Sequence, residues 1–322
     1  MSDYDDHDSG APTEPSSVAS PTGPNNSEEP PPVEENGRLY HPGGRYHFPC
    51  DQAEKDRLNL QHEAWLLTFN GELGLCPKIR EMGHNVVDVG TGTGVWAIDY
   101  ALKHRGSIVI GPDITGHPSP GLVNYKMEVD DCEDQDWQWL GNIDFVFVRA
   151  MTGCFETMEY IVDQAKFHLR PNGWLEIQDL QFPFQSDDGT LPDNLELSRM
   201  GRLLIEASAQ SGRPMGTVSQ YKSYLEQAGF EEITEFHFKW PLNDWPTNER
   251  EKELGKLTCE NLDQGLEGLC LRLFTQQLNW TRERVLEFCS RARQQLKDRN
   301  IHAYLPIYVV YGRQVSPPPE AS

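Results

Sequence analysis

Three glycines at alternate positions separate an apolar stretch from a predicted helix. Residues 86–89 have the composition of a buried parallel strand, and glycines follow at positions 90, 92 and 94. Residues 96–102 then show the apolar spacing of a helix. Glycine lets a backbone approach a ligand closely, and the start of a helix offers unbonded N–H groups. This strand, turn and helix predict an element that cradles a nucleotide.

The glycine spacing fits two kinds of nucleotide site. The pattern Gly90-x-Gly92-x-Gly94 is typical of enzymes that bind S-adenosylmethionine (SAM). The overlapping pattern Gly92-x-Gly94-x-x-Ala97 fits a dinucleotide site, and Asp113 follows at a suitable distance. An ordinary strand–turn–helix corner is the third interpretation, and three alternate glycines are costly there without a ligand. The glycines alone therefore do not decide between the two cofactors.

Asp88 favours SAM. It lies inside the predicted strand, two residues before Gly90, where a dinucleotide site usually has an apolar side chain. A carboxylate at this position can orient the glycine loop or bind the ammonium group of SAM. We therefore place Asp88 with Gly90, Gly92 and Gly94 in the predicted cofactor site.

Further polar residues follow the next two predicted strands. Asp113 can accept hydrogen bonds from both ribose hydroxyls, with a solvated turn aspartate as the alternative. Asp131 can accept from the adenine amino group, and the Cys132 N–H can donate to the ring. A simple acidic loop is the alternative for this second pair. Since open α/β sheets bind ligands at the carboxyl ends of their strands, these residues are expected to converge.

No catalytic base is predicted. Methyl transfer depends mainly on holding the acceptor in line with the methyl group, and a base is useful only for some acceptors. His62 is expected to pack in the core and His168 to lie on the surface or pack, while His302 is only a candidate by residue type. Arg149 is expected to pair with an acceptor carboxylate or with Asp144, and the second pairing is favoured slightly.

The remaining pattern predicts an α/β fold. A capping box at Asp51 opens a helix to about Phe69, and an aromatic segment, residues 40–48, precedes it. That segment either closes over the cofactor or seals the edge of the sheet. Strands are expected at 107–110, 122–129, 143–148, 174–178, 231–240 and 304–311, with helices at 156–169, 221–228 and 247–300. The pattern predicts a mostly parallel, Rossmann-like sheet whose C-terminal strand is antiparallel and follows a helical insertion, which again favours SAM.

Composition sets the expected domain limits. Residues 1–37 hold nine acidic residues and no Lys or Arg, and are predicted to be a disordered tail. One domain is expected over 38–315, followed by a flexible tail over 316–322. Charge limits the expected partners: the net charge of −22 disfavours direct binding of nucleic acid or an anionic membrane. The N-terminal residues lack a basic segment followed by an apolar one, so no secretory signal is expected, and no apolar run approaches the ~20 residues of a membrane span.

Seven scattered cysteines have no Cys-x-x-Cys spacing, so neither a disulfide framework nor a metal site is expected. A reducing compartment, cytoplasmic or nuclear, fits this cysteine usage.

Several segments resemble the LaeA-like fungal methyltransferases. The resemblance covers roughly residues 38–313 and is most specific where Trp96 follows the glycine loop. It lies in residues 57–62, 86–99, 110–113, 128–131, 169–176, 186–190 and 301–313.

The resemblance implies a class I methyltransferase fold, SAM as cofactor, and cofactor roles for the three glycines, Asp113 and Asp131. The chain departs from the family pattern at Pro112, at residues 115–118 and before Arg149. These changes concern the ribose loop and the acceptor side. The expected activity is methylation of a small secondary metabolite at oxygen or nitrogen. The alternative is a regulatory protein that keeps the fold and acts through partner proteins.

Overall fold

The computed structural model describes residues 31–81, 83–118, 120–133, 137–139 and 141–315. Its strands are β1 Val33–Glu35, β2 Arg38–Tyr40, β3 Asn85–Val89, β4 Ile108–Asp113, β5 Tyr125–Val129, β6 Ile143–Arg149, β7 Leu169–Leu180, β8 Glu231–Pro241 and β9 Tyr304–Arg313. Its α-helices are α1 Gln52–Thr68, α2 Val95–Lys103, α3 Met158–His168, α4 Glu196–Gln210, α5 Tyr221–Gln227, α6 Glu249–Gln277 and α7 Arg282–Leu296.

Seven strands form one sheet in the order β5-β4-β3-β6-β7-β9-β8. Neighbouring strands from β5 to β7 are parallel, whereas β9 runs antiparallel to both β7 and β8. The helices α6 and α7 lie between β8 and β9 in the chain. The predicted fold class, including the antiparallel C-terminal strand and the helical insertion before it, is confirmed.

The central strands are buried because both faces of the sheet are covered. On one face, Trp96 of α2 stacks on Phe147 of β6 with ring centroids 3.7 Å apart. Beyond the end of the sheet, α1, α4 and α7 pack against the long helix α6. This helical layer shares an apolar core with the ends of β7 to β9. The sheet and this layer form the walls of the site described below.

The helix predictions near the layer were partly wrong. The expected helical region 247–300 is two helices, since the chain turns at Asn279 with φ +54° and α7 restarts with Thr281 as its N-cap. Helix α4 was not predicted. Helix α1 begins as expected, with Asp51 accepting from the N–H of Glu54 at 3.1 Å.

The predicted domain start at residue 38 was too late. Val33–Glu35 already forms β1, which pairs with β2, and Glu35 forms an ion pair with Arg272 of α6 at 3.0 Å. This contact joins residues far apart in sequence, so composition gave no sign of it. The rest of the predicted N-terminal tail, residues 1–30, and the predicted tail 316–322 lie outside the described residues. In the described part of the chain, none of the helices combines the length and apolar character needed to cross a bilayer.

Candidate active site

The glycine loop joins β3 to α2 and requires glycine for two reasons. Gly90 has φ +68° and Gly94 has φ +74°, both in the left-handed region. A Cβ on Gly90 would lie 2.4 Å from the Met151 side chain, and one on Gly94 would lie 2.4 Å from His117. Among the described residues, no side chain caps the start of α2. The loop therefore leaves the first N–H groups of α2 available to a ligand.

Asp113 holds this loop from the neighbouring strand. Its Oδ2 accepts from the N–H of Gly92 at 2.8 Å, and its Oδ1 accepts from the N–H of Thr115 at 2.9 Å. Burial raises the pKa of the Asp113 carboxyl, although these hydrogen bonds favour its charged form. A carboxylate at the end of β4 is thus kept rigid beside the loop.

Asp88 lies deeper, at the carboxyl end of β3. Its Oδ2 accepts from the Thr91 hydroxyl at 2.6 Å. Burial raises the pKa of Asp88 to about 7. A ligand cation beside this carboxyl would favour its ionised form.

Asp131 and Cys132 follow β5 at the same edge of the sheet. The Asp131 carboxylate lies 3.5 Å from the guanidinium of Arg45, which comes from the segment before α1. The Cys132 thiol is buried, and burial raises its pKa well above the usual range, so it stays protonated. The Cys132 carbonyl accepts from the Trp137 indole at 3.0 Å. Cys132 therefore contributes a neutral wall.

These residues surround one cavity of about 1200 Å³, including its open mouth, at the carboxyl edge of β3, β4 and β5. Of the seven residues predicted for the cofactor site, all but Gly94 line it: Asp88, Gly90, Gly92, Asp113, Asp131 and Cys132. Gly94 lies at the N-cap of α2, directly behind the lining.

The opposite wall was largely missed from the sequence. It comes from α1 and the segment before it, and from residues that follow β5, β6 and α4: Arg45, Tyr46, Glu54, Leu58, Gln61, Glu133, Cys154 and Arg213. The aromatic segment before α1 was expected either to close over the site or to seal the edge of the sheet. Arg45 and Tyr46 of this segment line the cavity, which favours closure over the site. The run of aromatic residues before the first helix was the only sequence signal for this wall.

The contact between His62 and Arg149 corrects one expectation. Arg149, at the end of β6, donates to Nδ1 of His62 at 2.9 Å, and Nε2 of His62 lies 3.2 Å from the carboxylate of Asp99. Asp144 instead pairs with Arg170. The favoured Arg149–Asp144 pairing was therefore wrong. His62 is buried, as expected, and it also contributes polar ring atoms to the cavity wall. Their proximity depends on α1 docking against the sheet.

The other two histidines lie elsewhere. His168 stacks on Trp137 with ring centroids 5.7 Å apart, and His302 stacks on Trp245 at 4.8 Å. Neither lines the cavity. In the described part of the chain, no group of three or more His, Cys, Asp or Glu side chains is arranged to hold a metal ion.

A second cavity of about 640 Å³, including its opening and here called the inner chamber, adjoins the first. The two share wall residues Tyr46, Glu54, Leu58, Gln61, Ala150 and Cys154. The rest of the chamber is mainly apolar and aromatic: Phe48, Leu180, Phe182, Met215, Trp240, Leu262, Leu269 and Leu305, with Arg57, Thr152, Thr258 and Asn261. Arg57 is held there by Glu54 at 2.6 Å and by Asn261 at 3.1 Å. A molecule in the chamber would thus lie beside the ligand of the outer cavity.

The outer cavity suits SAM. Carboxylates lie at or just beyond the ends of three adjacent parallel strands, beside a loop that lacks a Cβ atom at three alternate positions. SAM offers an ammonium, a ribose diol and an adenine amino group to such acceptors. The sheet order with antiparallel β9 is that of a class I methyltransferase. The fold and the site thus define a SAM-dependent methyltransferase.

Comparison with known proteins gives the family. Residues 65–235 match the family model described as a methyltransferase domain. Methyltransferase pytC of Aspergillus terreus is 35% identical over 87% of this chain and 87% of its own. The secondary metabolism regulator LAE1 of Cochliobolus heterostrophus is 31% identical, covering 87% of this chain and 94% of its own. The protein-methionine methyltransferase laeA of Emericella nidulans is 29% identical, covering 92% and 80%. The chain belongs to this methyltransferase family, is LaeA-like, and has SAM as its cofactor.

Proposed function

We propose that this protein transfers a methyl group from SAM to oxygen or nitrogen of a small, largely apolar molecule bound in the inner chamber. The observation that carries the proposal is the chamber itself. It adjoins the cofactor cavity through a shared wall, and aromatic and aliphatic side chains dominate its lining. Apolar pockets with a few polar groups are typical sites for small molecules.

The cofactor would be held by the residues predicted from the sequence. The glycine loop, with Gly90, Gly92 and Gly94, would receive the methionyl part, with Asp88 near its ammonium. Asp113 would accept from the ribose hydroxyls, and Asp131 and Cys132 would flank the adenine. The positions of six of these residues around one cavity support this assignment. When bound, SAM supplies a methyl group on a positively charged sulfur.

The chain would act on the acceptor mainly by positioning it. Tyr46 and Gln61 stand where the two cavities meet. Burial raises the pKa of the Tyr46 hydroxyl and of the Cys154 thiol well above their usual ranges, so both stay protonated at neutral pH. The Glu54 carboxylate is engaged by Arg57. These groups can orient an acceptor but do not supply a base, and positioning alone can account for much of the rate.

A second candidate is a regulatory role exerted through partner proteins. The relatives named as regulators of secondary metabolism support it, and the relative named as a protein-methionine methyltransferase suggests a protein acceptor. A methionine side chain is apolar and would suit the chamber. In this case the acidic residues 1–30 are a candidate docking segment.

Transfer of labelled methyl from SAM into a metabolite extract and, separately, a protein extract tests both candidates. Label in a small molecule is expected. Label only in protein would replace the first candidate by the second, and label in neither would contradict the enzymatic proposal. Deleting residues 1–30, which leaves β1 intact, should not change labelling of the metabolite pool. Under the second candidate, the same deletion should abolish both the labelling of protein and the regulation, because each would need a partner docked on this segment.

A further inference from the structure

Among the described residues, three arginines line the outer cavity and one of them has no carboxylate partner. Arg45 pairs with Asp131 at 3.5 Å, and Arg213 pairs with Glu133 at 2.6 Å. Arg149 instead donates to the imidazole of His62. Among the described residues, no carboxylate lies within ion-pair distance of Arg149. Its charge is therefore not balanced by direct contact.

The state of His62 follows from this hydrogen bond. A guanidinium only donates, so Nδ1 of His62 must be the acceptor and its proton must lie on Nε2, facing Asp99 at 3.2 Å. Desolvation and the nearby Arg149 charge lower the pKa of His62 to about 4. The imidazole is thus neutral at physiological pH. It orients Arg149 without neutralising it.

Arg149 also stands beside the glycine loop. β6 pairs with β3 in the register Val89 with Val148, so Arg149 follows directly at the level of Gly90. Burial lowers the pKa of Arg149 to about 10, which still leaves it charged near neutral pH. Desolvating an unpaired cation is unfavourable, and a ligand anion in the cavity would offset that cost.

We propose that Arg149 binds the carboxylate of the methionyl part of SAM, with His62 as its positioning residue. The carboxylate is the only anion that SAM carries, and Asp88 on the adjacent strand is available to its ammonium. The positively charged Arg149 would thus face the carboxylate of the methionyl part, and the Asp88 carboxylate would face its ammonium. This inference concerns the cofactor and does not depend on the identity of the acceptor.

Calorimetric binding of two cofactor analogues tests the proposal. S-adenosylhomocysteine carries the carboxylate, and its decarboxylated analogue keeps the adenosine, thioether and amine. Arg149→Gln should weaken binding of S-adenosylhomocysteine by roughly 10- to 100-fold, as expected for a lost charged hydrogen bond. The decarboxylated analogue should bind wild type and variant with affinities equal to within about twofold.

Matched variants separate this role from loss of structure. Arg45→Gln removes the same charge from the same cavity and should affect both analogues equally. His62→Leu should reproduce the selectivity of Arg149→Gln in weaker form, while His62→Gln, which keeps an acceptor, should partly restore affinity. Equal loss for both analogues with Arg149→Gln would make Arg149 a structural residue and overturn the proposal. Unchanged binding of both would also overturn it.

Discussion

The outer cavity and the inner chamber adjoin each other but are encoded very differently. Most of the outer cavity's cofactor wall comes from short turns at the ends of β3, β4 and β5. The inner chamber collects side chains from Tyr46 to Leu305, on α1, α6, β7, β8 and β9 and the connections between them. The first site depends on backbone shape and carboxylates, the second on side-chain volume. Changes in the first should affect the cofactor, and changes in the second only the acceptor.

The largest effect is expected at Gly90. Gly90→Ala forces an L-residue to φ +68° and places its Cβ 2.4 Å from the Met151 side chain. We expect binding of S-adenosylhomocysteine to weaken by on the order of 100-fold, because alanine strains the loop at this φ and the Met151 side chain, which lines the same cavity, must shift. Calorimetry measures this. Gly189→Ala is the matched control, since Gly189 has φ +77° but open space around it. If both variants bound the cofactor like the wild type, the dependence on backbone shape would be refuted.

The inner chamber should show the reverse pattern. Leu269 is partly buried and lines only the chamber, so Leu269→Phe should fill acceptor space. We expect methyl transfer to fall by about tenfold or more, with cofactor affinity unchanged to within about twofold. Transfer assays and calorimetry on the same preparation measure both. Leu269→Met, with similar volume, should stay close to wild type. A loss of cofactor binding in Leu269→Phe would show that the two regions are not separable.

Asp113 tests the contribution of a carboxylate to the outer cavity. Asp113→Asn keeps the shape but turns one acceptor oxygen into a donor facing the N–H of Gly92 or Thr115. We expect cofactor affinity to fall by roughly tenfold and the melting temperature to drop by several degrees. Calorimetry and thermal unfolding measure the two effects. Unchanged affinity would remove Asp113 from the cofactor site.

Two buried aspartates give the smallest and sharpest test. Burial raises the pKa of both Asp88, in the outer cavity, and Asp179, on β7, to about 7. Their native pKa values exceed the unfolded one, so the native state binds more protons between about pH 4 and 7. Their contribution to stability therefore falls as pH rises through that window.

A ligand ammonium beside Asp88 should lower its pKa, so cofactor binding near pH 6.5 should release a fraction of a proton. Calorimetry in buffers of different ionisation enthalpy measures this release. It should vanish in Asp88→Asn and persist in Asp179→Asn. Release that persists in Asp88→Asn would assign it to another group.

Six of the seven residues predicted for the cofactor site lie around one cavity because their sequence signals are local. The positions of three of them follow from the strand ends: Asp88 and Asp113 lie at the ends of β3 and β4, and Gly90 follows β3 directly. Parallel strands bring those ends to one edge of the sheet. The partner of Arg149 could not be predicted in this way. Its contact with His62 joins β6 to α1, and nothing in the local sequence of either element indicates the other.

The sequence by itself determined the fold class, the cofactor and the glycine loop, because these depend on period, turn chemistry and the order of elements along the chain. Only the tertiary structure decided how α1 closes the outer cavity and that Arg149 contacts His62 instead of a carboxylate in the described part of the chain. It also decided that an apolar chamber lies beside the outer cavity. The physical reason is that these features arise where elements distant in sequence pack together. The contacts and the empty volume between such elements exist only once the core has assembled.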